Sequence, residues 1–336
     1  MHHHKSITPE PEQRAASPSD ISFAGWWQIL KRVWKELKND RVSFVAAGIA
    51  FYLILSLVPA LGAVMSIYGL IADQSDVERQ LGSIKHLMPV DVSDLIAVEL
   101  QRFANDDIAA GWGLLLGLIL AFWGGSKAMN AMVTSMNVAY EEPDGRSFLR
   151  RKSLELGLTV CGVIFAVVVM FLLAVVPAVM AYLELGHATE LVITVFRWLL
   201  LALAAMTGLS VIYRFAPYRR RAKWRWVTYG SCLGTLLWVA ASAILTWYTS
   251  TIGDYSKTYG SLGAIVLLHL WFYVTGFVIM LGAELNSEME LQTVHDTTHG
   301  EDRPMGKRGA YVADHVAQSG EDITIDHPTQ TKSPHQ

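Results

Sequence analysis

The chain has 336 residues, of which 52% are hydrophobic and 17% charged, and its formal net charge is −3. An ordinary soluble domain carries about 25% charged residues, so the composition argues against two soluble domains and the charge against a broadly basic nucleic-acid binder. Cys161 and Cys232 both lie in apolar runs, which excludes a disulfide framework and a Cys-based zinc site.

The first 22 residues are polar and hold Pro9, Pro11 and Pro18, so they are expected to be disordered, with no cleavable signal peptide. In 23–41, Phe23, Trp26, Trp27, Leu30, Val33, Trp34 and Leu37 share a helical stripe, with basic residues over much of the remaining face. Two placements fit this amphipathic helix: lying in the membrane interface, or packed on a helical bundle.

Six stretches are long enough to cross a hydrocarbon core, which takes about 20 helical residues. They are 44–71, 108–135, 154–183, 191–213, 226–248 and 262–284. Lys and Arg flank them unequally. Lys31, Arg32, Lys35, Lys38 and Arg41 precede the first span, and Arg146, Arg150, Arg151 and Lys152 lie between the second and third. Arg214, Arg219, Arg220, Arg221, Lys223 and Arg225 lie between the fourth and fifth. The opposite loops hold Arg79, Lys85, Arg102 and Lys257. The asymmetry is fifteen against four and alternates as six spans require, which predicts an all-α, six-span membrane protein with both termini cytoplasmic.

The 73–107 loop carries two short amphipathic patterns separated by Pro89, expected to form helices over the outer mouth of the bundle. From residue 291 onward few large apolar residues remain, and this tail is expected to be mostly disordered. His295-Asp296-Thr297-Thr298-His299 spaces two His four residues apart but lacks the Glu of a zinc-protease helix. A solvated tail is the favoured reading there, and the Arg219–Arg225 run is read as an orientation signal rather than a grip on RNA phosphates. There is no Walker-type glycine loop, GxSxG or HExxH.

Several strings carry a resemblance. They are Ala47-Gly48-Ile49-Ala50-Phe51-Tyr52 with Leu55-Ser56-Leu57-Val58-Pro59, and Tyr213-Arg214-Phe215-Ala216-Pro217 with Trp224-Arg225-Trp226-Val227. Thr258-Tyr259-Gly260-Ser261-Leu262-Gly263-Ala264 and Leu281-Gly282-Ala283-Glu284-Leu285-Asn286 complete the set. In order and spacing they resemble the YihY/virulence factor BrkB family, formerly labelled ribonuclease BN, from about residue 25 to 290. The resemblance implies a six-span protein of the bacterial inner membrane with no agreed activity and no catalytic residue to carry over. Its motif residues in this chain are Phe51, Tyr52, Ser56, Pro59, Tyr213, Pro217, Tyr259, Gly260, Gly263 and Asn286. Lys127 stands where members often have Arg, and Arg303-Pro304-Met305-Gly306 is similar to a string in some relatives.

Ionisable residues inside spans are costly unless paired or hydrated. Arg197 and His269 fall at similar depth from the outer end, with Glu184, Asp254 and Lys257 nearby in sequence. Lys127 and Glu284 fall at matching heights near the opposite end. Either these charges line two water-accessible vestibules, shaped in part by Ser56 and the helix-kinking Pro59 and Pro177, or Lys127–Glu284 is a structural ion pair and Arg197 snorkels. His269 has its own alternative, a hydrogen bond inside the bundle. The expected function is non-enzymatic movement or exchange of a solute or lipid; a non-transporting envelope-integrity scaffold is the alternative, and a ribonuclease the least favoured. Expected partners are membrane lipids and an unidentified solute or lipid, without nucleic acid, metal or cofactor, and Gly/Ala-rich helix faces leave a homo-oligomer open.

Overall fold

A lipid-embedded segment must satisfy its own peptide groups, and runs of apolar residues do so as helices. The computed structural model describes residues 13–71, 107–172, 176, 179, 187–251 and 261–317, and its regular elements there are all helical. In chain order they are α1 (Phe23–Asn39), α2 (Val42–Ile71), α3 (Asp107–Ala139), α4 (Phe148–Met170), α5 (His187–Phe215), α6 (Trp224–Thr251), α7 (Ser261–Leu291) and the single turn α8 (Tyr311–Asp314). By length and composition, α3 to α7 each suffice to cross a membrane, and α1 with α2 make a sixth candidate bent by 62° where they meet. The predicted 73–107 helices, Pro177, Glu184, Asp254, Lys257, Tyr259 and Gly260 lie outside the described residues.

The bundle is organised around α7, which packs on α1, α2 and α6, while α2 lies along α3 in the most extensive pairing. That closeness has a local cause. A Cβ at Gly124 on α3 would lie 2.8 Å from the Ser56 Cβ and 2.9 Å from its Cα, so only glycine lets the two backbones approach this far. The Ser56 hydroxyl donates to the Leu53 carbonyl at 2.8 Å, which makes this residue part of the packing seam. The core, including Ile49, Met132, Met136, Tyr140, Tyr213 and Met280, gathers at one end of the bundle. Away from it, α4, α5 and α6 present apolar side chains such as Val163, Val167, Leu199 and Ile244 outward, as lipid contact requires.

At the core-rich end, the α1–α2 corner, the α3–α4 and α5–α6 loops and the chain after α7 close over the bundle. We call this the capped end. Its corners use left-handed backbone at Arg41 (φ 50°) and Glu141 (φ 54°), a conformation uncommon outside glycine. The Ser22 side chain caps α1 by accepting from the Gly25 N–H at 3.1 Å. Of the two placements open for α1, one face is seen to pack on the bundle. Ile29 and Val33 are buried against Trp226, Leu285 and Met289. Phe23, Trp27, Leu30 and Trp34 are exposed, with Lys31 and Lys38 ammonium groups over the Trp27 and Trp34 rings.

Residues 13–22 and 292–317 correct the expectation of disorder at both ends. The composition argument failed because this cap is held by polar groups meeting partners elsewhere in the chain, not by its own apolar residues. Gln13 donates to Ala317 O at 2.9 Å, and its own carbonyl accepts from Val294 N at 3.0 Å. The Thr293 hydroxyl donates to Ala15 O at 2.5 Å. Buried Arg308 donates to four carbonyls, those of Val294, His295, Arg303 and Ala313, which sets the loop around it. The string Arg303–Gly306 belongs to this cap: Gly306, at φ 82°, donates its N–H to Asp314 Oδ1 at 2.7 Å.

Candidate functional site: the polar machinery of the capped end

Three groups of residues meet here, and the first is structural. Where α5, α6 and α7 cross, Gly230 and Gly282 bring two helix backbones together. The Tyr213 hydroxyl donates to Ile279 O at 2.9 Å. Asn286 Oδ1 accepts from the Gly230 N–H at 2.9 Å, and its Nδ2 donates to Val227 O at 3.4 Å. Tyr213 and Asn286, two of the motif residues, therefore serve one interhelical knot. Of the others, Phe51 and Tyr52 make an edge-to-face pair with ring centroids 5.4 Å apart, Gly263 is buried early in α7, and α2 continues through Pro59.

The second group contains Glu284. Its expected ion pair with Lys127 does not form. Lys127 lies over the Trp123 ring, 5.8 Å from its centroid, whereas the Glu284 carboxyl hydrogen-bonds Asp40 at the α1–α2 corner. The two residues stand at different heights: Lys127 is within one turn of Gly124, which packs against Ser56 well inside α2, whereas Glu284 meets Asp40 at the α1–α2 corner. Glu284 is 2% exposed, and its Oε1 has no hydrogen-bond partner. Glu36 and Glu288 also face it, and the nearby guanidinium of Arg32 is bonded to Glu288 and Gln292. A hydrogen bond between two carboxyls needs a proton on one of them. This is a buried acidic cluster in which Glu284 has no cation of its own among the described residues.

The third group is a cavity of about 540 Å³ between the α3–α4 and α5–α6 loops, lined by Arg146, Arg150, Arg214, Arg219, Arg220 and Arg221 together with Leu154, Phe215, Pro217, Tyr218 and Gly309. Arg146 reaches Ala216 O at 2.8 Å and Asp144 at 3.5 Å, and lies over the Tyr218 ring. Arg219 makes a two-pronged pair with Glu290, at 3.1 and 2.6 Å, with the Tyr140 ring 5.0 Å from its guanidinium. Arg220 faces Asp296 at 3.6 Å. Sequence reasoning counted these arginines only as orientation signals; their burial could not be read from a charge count.

The remaining sequence candidates stand apart. Arg197 is half-buried with its guanidinium over Trp198, and its Nε has no hydrogen-bond partner. His269 is exposed on α7, and no hydrogen bond from it is found among the described residues. In His295–His299 the central Asp296 carboxylate accepts from the Thr298 N–H and hydroxyl and the Arg303 N–H. Burial works to raise the pKa of Asp296, but these bonds outweigh it and hold the carboxyl below its ordinary range. Among the described residues no three His, Cys, Asp or Glu converge as a metal site.

Glu142 gives the cap a pH dependence. Its carboxylate accepts the Tyr311 N–H at 2.7 Å. Burial pushes its pKa up from 4.5 to about 7, against the opposing effects of that bond and of Arg219. Because the folded value lies above the unfolded one, its stabilisation is complete below 4.5 and is lost as pH rises through about 7. Amide protection at 310–314, relative to the intrinsic base-catalysed exchange rate at each pH, is expected to fall across that window and to stay flat in Glu142→Gln. Equal pH profiles in the two proteins would show that this carboxyl does not govern docking of the segment.

Residues 33–306 match the family described as "Virulence factor BrkB". A protein of Bacillus subtilis (strain 168) named as ribonuclease-like, YfkH, is 31% identical over 247 residues, covering 72% of this chain and 88% of the relative. A UPF0761 membrane protein of Tolumonas auensis is 26% identical over 273 residues, covering 80% and 87%. Another, NTHI0384 of Haemophilus influenzae, is 21% identical over 268 residues, covering 76% and 93%. No solved structure matches. With the matched region running from within α1, through the helices that form the knot, to the Arg303–Gly306 turn of the cap, the chain belongs to the virulence factor BrkB family of membrane proteins.

Proposed function

We propose that this protein resides in the bacterial inner membrane with both termini cytoplasmic, and that it moves or exchanges a solute or lipid without catalysing a reaction. The orientation rests on the fifteen-to-four Lys/Arg asymmetry, whose richer flanks are the ones gathered at the capped end. The observation that carries movement is Glu284. An intramembrane carboxyl, 2% exposed, facing Asp40, Glu36 and Glu288, costs several kcal/mol unless its protonation or surroundings change during use. It sits under the bent α1–α2 joint, so loading or releasing a proton there acts directly on a hinge between two elements.

The test uses single cysteines in a background with Cys161 and Cys232 replaced. Lys127→Cys is expected to react with a membrane-impermeant thiol reagent from the cytoplasmic side, and His269→Cys from the outer side. Relative to a loop cysteine, the Lys127→Cys rate should vary with pH and lose that variation when Glu284→Gln is added. If neither position reacts while the loop control does, movement is excluded. The non-transporting scaffold then stands, a reading that the Ser56–Gly124 seam and the Tyr213–Asn286 knot favour as pure packing devices. The ribonuclease-like name belongs to the Bacillus relative, and we expect no RNA cleavage from the purified chain.

A further inference from the structure

We propose that the arginine-lined cavity is a binding site for a phosphate-bearing anion, drawn either from the headgroup of a membrane lipid or from solution. The proposal goes beyond movement across the membrane, because binding is read without flux.

The argument begins with charge. Six arginines and no acid line the cavity. Three are answered from behind by carboxylates: Arg146 by Asp144, Arg219 by Glu290 and Arg220 by Asp296. Arg150, Arg214 and Arg221 have no carboxylate partner among the described residues. Arg214 decides the case. It is 7% exposed, held 4.1 Å from the Trp224 ring centroid and 5.7 Å from that of Phe215, and its Nε has no hydrogen-bond partner. An orientation signal needs charge near the membrane end; it does not need that charge buried. A buried guanidinium without an anion bears an uncompensated desolvation penalty, and the missing counter-charge identifies what the cavity takes.

The donor geometry selects phosphate. A guanidinium presents a planar fork that matches phosphate oxygens in pairs, and several forks around one cavity suit a group with more than one negative oxygen. Nη1 of Arg146 and of Arg220 face Asp144 and Asp296 at 3.5 and 3.6 Å, so the forks left to a ligand are chiefly those of Arg150, Arg214 and Arg221. At about 540 Å³ the space exceeds a bare phosphate and suits a headgroup or a small phosphorylated molecule. Leu154 and Phe215 supply apolar wall. Phe148 and Leu149, both strongly exposed, begin α4 beside Arg150 and offer a surface on which acyl chains can rest.

The experiment uses the full chain in nanodiscs of phosphatidylcholine with or without phosphatidylglycerol, and separately in neutral detergent with inorganic pyrophosphate. Trp224 fluorescence and thermal shift report occupancy. Wild type should bind at least one probe. Affinity should fall by about tenfold or more in Arg214→Gln, the loss expected for a charged hydrogen-bonding group. Should Arg214→Gln fold poorly, the double variant Arg150→Gln/Arg221→Gln removes the two exposed, unpaired cations and should weaken binding without lowering the melting point. A response to phosphatidylglycerol alone assigns the anion to the membrane. A response to pyrophosphate alone assigns it to solution, and competition between the two shows that either fits. No binding of either probe at low ionic strength overturns the proposal. So does an equal loss in Lys31→Gln, which lies on α1 outside the cavity, because the effect would then be general charge.

Discussion

Glu290→Ala is expected to unlock the cap. Both members of the Arg219–Glu290 pair are buried, with side chains 2% and 0% exposed, and Thr297 donates a further hydrogen bond to the same carboxylate. One acidic group thus joins the end of α7, the α5–α6 loop and the chain beyond α7. Removing it strands a guanidinium against the Tyr140 ring with no counter-charge, which costs roughly 3–5 kcal/mol for a buried pair broken on one side. The thermal midpoint in detergent should drop accordingly, and trypsin should cut at Arg303 and Lys307 well before it does in wild type. Replacing both partners together, Arg219→Met with Glu290→Leu, should recover much of the loss, since no charge is then left unpaired. An unfolding free energy for Glu290→Ala within about 1 kcal/mol of wild type would mean that the pair behaves as a solvated surface contact.

Gly282→Ala is the second large effect, and a single methyl group causes it. A Cβ at Gly282 would overlap the Tyr213 hydroxyl and come within 2.9 Å of the Gly230 carbonyl oxygen. Neither is a flexible chain end: one is backbone, the other is tied to Ile279 O. Overpacking costs about 1–3 kcal/mol where neighbours can adjust, and here adjustment breaks the Tyr213 bond and parts α6 from α7. The fraction of monodisperse protein and its melting point should both fall. Gly48→Ala supplies the comparison, because a Cβ there meets nothing within 4 Å. Similar behaviour in the two variants would show that α6 and α7 leave room for a methyl group where they cross.

The helices were legible because apolar runs and alternating Lys/Arg flanks are local properties of the chain. Their ends were less so. Hydropathy stops at Glu284, yet α7 continues to Leu291, since Asn286, Glu288 and Glu290 are satisfied by Gly230, Arg32 and Arg219 from distant parts of the sequence. The Lys127–Glu284 expectation shows a related limit. Counting residues from span ends assumes that the helices are level, but packing sets how far each one slides: Gly124 seats beside Ser56 well inside α2, and Glu284 reaches Asp40 at the corner before it. The folded cap escaped composition because Arg308, a residue usually counted toward disorder, organises it by reaching four carbonyls. The cavity escaped for the opposite reason: its arginines were all noticed, but their number fixes a side of the membrane and says nothing of which one lacks an anion.

The order of synthesis gives the Gln13–Ala317 hydrogen bond a temporal meaning. Its partners are separated by 304 positions, so the cap cannot close until nearly the whole chain has left the ribosome. At translation rates of about 5–20 residues per second, α1 waits roughly 10–50 s for α7 to emerge and cover Ile29 and Val33. Throughout that interval the inner stripe of α1 lacks Leu285 and Met289, the α7 side chains that bury it in the finished protein. A chain cut short after α6 would keep Ile29 and Val33 uncovered on that side for good.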